Sequence, residues 1–336
     1  TAILSAVLSK AGIFGVLIVS CDMFYRDADW GMLILMLGVV TMLLGAVLGL
    51  FSVNLKRTLA CSSMSQIGFI LVGVGMQGLL GAHNQLAVYG TVLHMINHSL
   101  IKLILFVIAG VIFTRVGSLD LNEIRGWGRG KPLVMFCFFM AAVGVGGIPL
   151  WSGYISKTLL HESIVEYIEI LSAQGGAGLM RTVEWLFLIA GGMTLAYMTK
   201  LFVAVFLEKK PGSEKPAKEL YMDKPTSVML TVCGALLLVF GLFAHSTMDH
   251  IAEASRSFLG GEALEHAVQY FSWTNLQGAL ISLAIGAVLY FGVVRLLLMK
   301  KDAQGVRIYV DRWPRWADLE KLVYRPLLSG LAFVGA

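Results

Sequence analysis

The chain is 336 residues long, 57% hydrophobic and only 14% charged, with a formal net charge of +5. A soluble domain carries about 25% charged residues, so a globule of this size would have too little polar surface to face water, and its solvent is lipid. The positive charge is scattered, with no basic run or aromatic-interleaved patch, which argues against a nucleic-acid partner. Four cysteines, Cys21, Cys61, Cys137 and Cys233, stand far apart with no CxxC pair, and read as small apolar packing residues rather than as a zinc, iron–sulfur or dithiol site.

Apolar runs long enough to cross a bilayer recur at 1–20, 31–53, 65–82, 86–113, 132–149, 151–171, 183–207, 226–245 and 276–299. This predicts an all-α polytopic membrane bundle of about nine spanning helices, since helices satisfy every backbone group in hydrocarbon and runs without strict alternation exclude a barrel. The chain opens at Thr1 inside an apolar stretch, with no initiator Met and no signal peptide, and stops in another, Leu327–Ala336. Both ends read as cuts, so the sequence is expected to be a fragment.

Three loops are long. Residues 114–131 carry Arg115, Arg125, Arg129 and Lys131; 208–225 hold five Lys and three Pro and read as a flexible solvated link; 246–275 bear His and Glu and accommodate a surface helix. Counting crossings, the basic loops near 56 and 125 share a side, whereas 208–225 falls on the other, so the positive-inside rule leaves orientation open. Residues 1–300 form the membrane domain. In 301–336, Trp313, Trp316 and Tyr324 interleave with charges, as in a segment lying in the headgroup plane.

Ionisable groups inside spans are costly and by default mark a functional path. HMINHSLIK places His94, His98 and Lys102 at i, i+4 and i+8, nearly one helix face, with about 6 Å of rise between successive groups. Direct hydrogen bonds do not reach that far, but one or two waters bridge each gap. Imidazole both accepts and donates, so such a row is what a proton wire requires. The alternatives are helix-packing polar residues and a metal chelate; no carboxylate or Cys stands nearby to complete a ligand set. Lys10 lies mid-span before Ala11–Gly12, as in a broken or π-bulged helix whose freed carbonyls solvate an ammonium, or else is a snorkelling end residue. Lys157 follows a run interrupted by Gly146, Gly147, Pro149 and Gly153, a pointer to a transport site, and His161 and Glu162 either continue the path one turn on or lie at the surface. Lys56–Arg57 join two spans as headgroup anchors or as a channel mouth; Lys200 lies well inside a span; Arg295, near a span end, snorkels. No Gly-rich phosphate loop, GxSxG, HExxH or intramembrane carboxylate pair is present, so the sequence offers no cofactor or metal site and no chemistry of its own.

Four segments, in order, resemble the antiporter-like membrane subunits of respiratory complex I, Mrp-type sodium/proton antiporters and membrane-bound hydrogenases: LSAVLSKAGIFGVL, NLKRTLACSSMSQIGFILVGVG, HMINHSLIKLILFVIAG and GIPLWSGYISK. The match covers about residues 1–170, and beyond that it is general hydropathy. The resemblance implies two inverted helical repeats, each with a broken helix bearing a key Lys: Lys10 in the first, Lys157 in the second, with His94, His98 and Lys102 as the relay between. It also implies that the first half of such a subunit, including a Glu paired with the first Lys, is not in this chain. Asn54, where the family often has Asp, and Thr158, where the longest complex I subunit has Asp, lean toward a hydrogenase- or Mrp-related member.

The expected function is proton translocation along a buried Lys/His row, as the ion-moving membrane subunit of an NADH–quinone-oxidoreductase-like or hydrogenase-like complex in a bacterial or archaeal inner membrane. Its partners would be other membrane subunits, protons and the lipid bilayer. A sodium/proton antiporter module and a structural scaffold are the rivals; the few intramembrane carboxylates place sodium second.

Overall fold

A computed structural model describes residues 1–209, 221–262, 267–301, 305–314, 316, 318 and 320–334. Among them, seven helices are long and apolar enough to cross a membrane. They are α1 (Leu4–Met23), α2 (Ala28–Phe51), α3 (Leu55–Leu80), α4 (Gln85–Val116), α7 (Gly178–Phe202, wound on as a π-helix to Leu207), α8 (Lys224–Leu242) and α10 (Trp273–Val288, wound on to Leu297). Two further segments, α5 (Pro132–Gly146) and α6 (Ser152–Ala173), make nine, and the chain is an integral membrane helix bundle.

Helix α3 begins ten residues before the apolar run at 65. Asn54 caps it by accepting a hydrogen bond from the Arg57 amide at 3.1 Å. Hydropathy hides this first part because Thr58, Ser62, Ser63, Ser65 and Gln66 dilute it; all five are buried against other helices rather than in lipid. Contact with α2 runs along glycines spaced seven apart, Gly31, Gly38 and Gly45 on α2 and Gly68 and Gly75 on α3. A Cβ at Gly45 would stand 2.4 Å from the Ser65 nitrogen, and one at Gly68 2.3 Å from the Met42 nitrogen, so the backbones meet as small-residue membrane interfaces allow. The opposite face of α2, with Leu33, Leu37, Val40 and Leu44 exposed, suits lipid.

The predicted spans 132–149 and 151–171 are two halves of one traverse. Following α4 from Gly90 through Asn97 to Ile101, the neighbours pass from Leu160 through Ser152 to Gly144. Helices α6 and α5 therefore line α4 in a single descent, interrupted at 147–151. Gly147 ends α5 with φ +75°, and Leu150 sits at φ +80°, a conformation that non-glycine residues seldom adopt.

This removes the conflict over orientation. The Leu55 amide bonds Leu119 O at 2.8 Å, Arg125 pairs with Glu208 at 3.2 Å, and Arg115 Nε donates to Tyr221 O at 3.3 Å. The loops at 52–56 and 114–131 and both flanks of 208–225 thus lie at one end, the basic end. The stretch 210–220, read from sequence as a flexible link, lies outside the described residues.

Helix α9 (Ala244–Arg256) follows α8, with exposed His245, His250 and Glu253. After α10, strands β1 (Met299–Lys301) and β2 (Arg307–Tyr309) form an antiparallel hairpin. Asn122 fastens it to the basic end, donating to Tyr309 O at 3.0 Å and accepting from the Tyr309 amide at 2.8 Å. Arg295, which was expected to snorkel, bonds Glu208 at 2.7 Å. Burial, and then the Glu208 carboxylate, push the Tyr309 phenol upward from its ordinary range. A last helix, α11 (Arg325–Val334), leaves Leu327, Leu328 and Leu331 exposed.

Candidate functional site

Among the described residues, four lysines are buried in the bundle: Lys10 and Lys157 are 8% exposed, Lys200 1% and Lys102 0%. Within the described residues, each hydrogen bond from their ammonium groups goes to backbone carbonyl oxygen and none to a carboxylate. Lys10 Nζ donates to Ser5 O at 2.6 Å, within the π-wound start of α1. Lys157 Nζ donates to Val145 O at 2.8 Å and lies 4.7 Å from the centre of the Phe69 ring. Lys200 Nζ donates to Gly49 O, Leu50 O and Ser52 O at 3.1, 2.7 and 2.6 Å. Helix ends explain two of these, because the last carbonyls of a helix have no amide donor and carry its negative dipole end: Val145 is in the last turn of α5, and 49–52 close α2. Lys102 Nζ donates to Leu59 O at 2.9 Å, within α3.

Lys10 and Lys102 are joined through α3. Ser5 and Ser63 place their hydroxyl oxygens 2.6 Å apart, and Ser63 Oγ donates to Leu59 O at 3.1 Å, the same oxygen that holds Lys102. His98, one turn before Lys102 on α4 and 1% exposed, makes no hydrogen bond to the described residues through either ring nitrogen.

His94 connects to the broken helix. Its Nδ1 is 3.0 Å from Ser156 Oγ and its Nε2 3.0 Å from Gln66 Oε1. A carbonyl oxygen only accepts, so Nε2 carries the hydrogen and Nδ1 accepts from the serine hydroxyl. Asn97 Nδ2 donates to Ser152 O at 2.8 Å and Ser156 Oγ at 3.2 Å. Beyond Gln66, Nε2 donates to Thr194 Oγ1 at 3.4 Å, and the Tyr197 hydroxyl lies 3.2 Å from Thr194 Oγ1 and 2.9 Å from Ser62 Oγ.

Lys157 lines a small cavity of about 40 Å³ with Thr158, His161, Phe187 and Asn275. His161 and Asn275 also line an open recess of about 480 Å³ with His83, Glu162, Glu166 and Glu169. His161 Nε2 is 3.2 Å from Glu184 Oε1. His161 and Glu162 are half-buried where the two spaces meet, while Lys56 is exposed in the first turn of α3, apart from the buried groups. Among the described residues, no group of three or more His, Cys, Asp or Glu is arranged to hold a metal ion.

The structure thus brings Lys10 and Lys102 together through α3, with His98 one turn before Lys102 on α4, and His94 and Lys157 through adjacent residues of α6. Reading single charges along the chain passed over Ser5, Ser62, Ser63, Gln66, Asn97, Ser156, Thr194 and Tyr197. The signal was available for some: SSMSQ is a polar cluster inside an apolar span, and Ser156 precedes Lys157.

A polytopic bundle that encloses four ammonium groups, each held on backbone carbonyl oxygen, defines an integral membrane protein with a charged interior rather than a simple apolar anchor. A family model described as NADH:quinone oxidoreductase/Mrp antiporter, TM, matches residues 1–183, and the chain belongs to that family. Among curated relatives, the putative antiporter subunit mnhA2 of Staphylococcus saprophyticus is 27% identical over 321 residues, covering 90% of this chain and 39% of the relative. Hydrogenase-4 component B of Escherichia coli is 27% identical over 269 residues, covering 77% of this chain and 39% of the relative. A chain in the solved structure of the Mrp complex from Dietzia sp. shares the fold with a TM-score of 0.65 at 24% identity, covering 91% of this chain and 31% of that one. The chain spans about two fifths of the length of these curated relatives. The resemblance carried by the four sequence segments is borne out.

Proposed function

We propose that the chain is a proton-translocating membrane subunit of a redox-driven complex, moving protons through Lys10, His94, His98, Lys102 and Lys157. One observation carries this reading: ammonium and imidazole groups are buried in the bundle, Lys10 linked to Lys102 through Ser5 and Ser63 and His94 tied to Ser156 and Gln66, with no carboxylate among the described residues hydrogen-bonded to them. Buried polar atoms left without protein partners, among them His98 Nδ1 and Nε2, Asn97 Oδ1 and the Ser65 and Ser152 hydroxyls, are the kind that internal water satisfies. Such water would span the gaps along α4 that are too long for direct bonds. Electron transfer in a partner subunit would drive the row by shifting charge at one end of it.

Lys157 is the outlet on this reading, with His161 and Glu162 leading from its cavity to the acidic recess. Lys56 stays outside the path. The partners are further membrane subunits, and the setting is the inner membrane of a bacterium or archaeon, with α11 lying along the headgroups.

A second reading, sodium/proton antiport, is favoured by the recess itself, because Glu162, Glu166 and Glu169 line it and concentrate negative charge that draws in a cation. Sodium-dependent proton movement without any redox substrate would select it.

The test is Lys157→Ala in the assembled complex, reconstituted into sealed vesicles. The variant is expected to assemble and to lose most proton movement. Retained translocation overturns the proposal.

A further inference from the structure

We propose that Lys200 is a second protonatable gate, joining the buried polar string to a water-filled recess at the basic end, so that the bundle has an aqueous port at each end of α3. The inference rests on the translocation reading above and adds a route which that reading does not use.

Lys200 is 99% buried and its three acceptors are all carbonyls at the close of α2, so only dipoles balance its charge. On the inner side, Gly49 lies against the Tyr197 ring and Cys61: a Cβ there would stand 3.3 Å from Tyr197 Cδ1 and 3.7 Å from Cys61 Cβ. The Tyr197 hydroxyl, which also meets Ser62, then begins the string through Thr194 to Gln66 and His94. On the outer side, Ser52, whose carbonyl holds the ammonium, lines an open recess of about 260 Å³ with Asn54, Arg57, Asp120, Asn122 and Asp311. Helix α3 starts at this recess with Leu55 and ends at Leu80, beside His83 and Gln85 of the acidic recess, about 39 Å away at 1.5 Å per residue. The two recesses therefore open at opposite ends of the bundle, and Lys200 and Lys157 are the buried cations beside them.

Capping α2 is the plainer role for Lys200, but a cap has no need of a group that can release a proton. The step is a simple exchange: the ammonium gives one proton to water in the recess, leaving a neutral amine and hydronium, and the amine then takes a proton from the inner string. Carbonyls carry no protons, so the amine leaves its cage between the two events, within the reach of its four-carbon stem. The driving force sets the direction.

Lys200→Arg keeps the charge and the capping donors but cannot deprotonate at ordinary pH. In the assembled complex in sealed vesicles, it is expected to assemble normally and to translocate protons at least tenfold more slowly. Wild-type translocation by this variant, alongside an inactive Lys157→Ala, shows that Lys200 is a cap only; the gate is then overturned and the wider reading stands. If both variants translocate normally, both proposals fall. Should Lys200→Arg fail to assemble, Tyr197→Phe decides: it removes the hydroxyl that starts the string, so slowed translocation in an assembled complex supports the gate and unchanged translocation overturns it.

Discussion

Ser5 and Ser63, 58 positions apart in the chain, place their hydroxyl oxygens 2.6 Å from one another in the bundle interior. Each belongs to the support of a different lysine: the Ser5 carbonyl holds Lys10, while the Ser63 hydroxyl shares the Leu59 carbonyl with Lys102. Two cations that hydropathy treats as unrelated are thereby mounted on one hydrogen-bonded link between α1 and α3.

That link gives a first prediction. Ser5→Ala and Ser63→Ala should each slow proton movement several-fold with assembly intact, and the double variant should be little slower than either single one, because the residues act as a pair. Initial rates in sealed vesicles measure this, and multiplicative losses would show that the two hydroxyls act independently.

Gly153→Ala should damage the broken helix. A Cβ there would stand 1.9 Å from the Gly144 carbonyl oxygen, a backbone atom that cannot turn aside. Forcing a methyl into such a contact costs about 1–3 kcal/mol, and the variant should unfold at a lower temperature in detergent than the parent. An unchanged melting curve would mean that the two half-helices do not hold this close approach.

Replacing Gln66 by Leu should interrupt the string between His94 and Thr194. The His94 Nε2 hydrogen then loses its acceptor inside the bundle, at a cost of about 1–3 kcal/mol. The same thermal measurement, paired with translocation rates, checks both consequences.

Sidedness is the fourth prediction. Lys56, Arg57, Arg115, Arg129, Lys131 and Lys209 gather at the basic end, against Arg26, Arg181 and Arg256 at the other. The positive-inside rule then turns the basic end to the cytoplasm. With right-side-out membranes, a thiol reagent that cannot cross the bilayer should label His83→Cys and spare Lys131→Cys; the opposite pattern inverts the assignment.

Much of this fold was readable from sequence because apolar runs and buried charges are strong local signals. The runs located α1, α2, α4, α7, α8 and α10 closely, and Lys10, His94, His98, Lys102 and Lys157 stood out as charges or imidazoles in lipid-soluble segments. Two kinds of information were missing. The spans 132–149 and 151–171 look like two arms of a hairpin, since each alone approaches bilayer length, and only their contacts with α4 show them as one traverse. The acceptors of Lys200 lie about 150 residues away in the chain, and nothing near AYMTKLF announces them. Hydroxyls give a weaker signal: serine and threonine in helices commonly bond their own preceding turn, as Ser63 does with Leu59 O and Thr194 with Ala190 O, even where they also meet another helix. Nothing in the sequence marks which of them also reach a second helix. The hairpin at 299–309 was hidden among charges that suit a headgroup segment.

The interruption at 147–151 has a mechanical consequence. Lys157 is anchored in α6, but the oxygen that steadies its ammonium belongs to Val145 at the tip of α5. Tilting one rod against the other alters that separation and therefore how tightly the amine keeps its hydrogen. On the translocation reading, this joint is the place where a small displacement would be converted into a change of proton affinity.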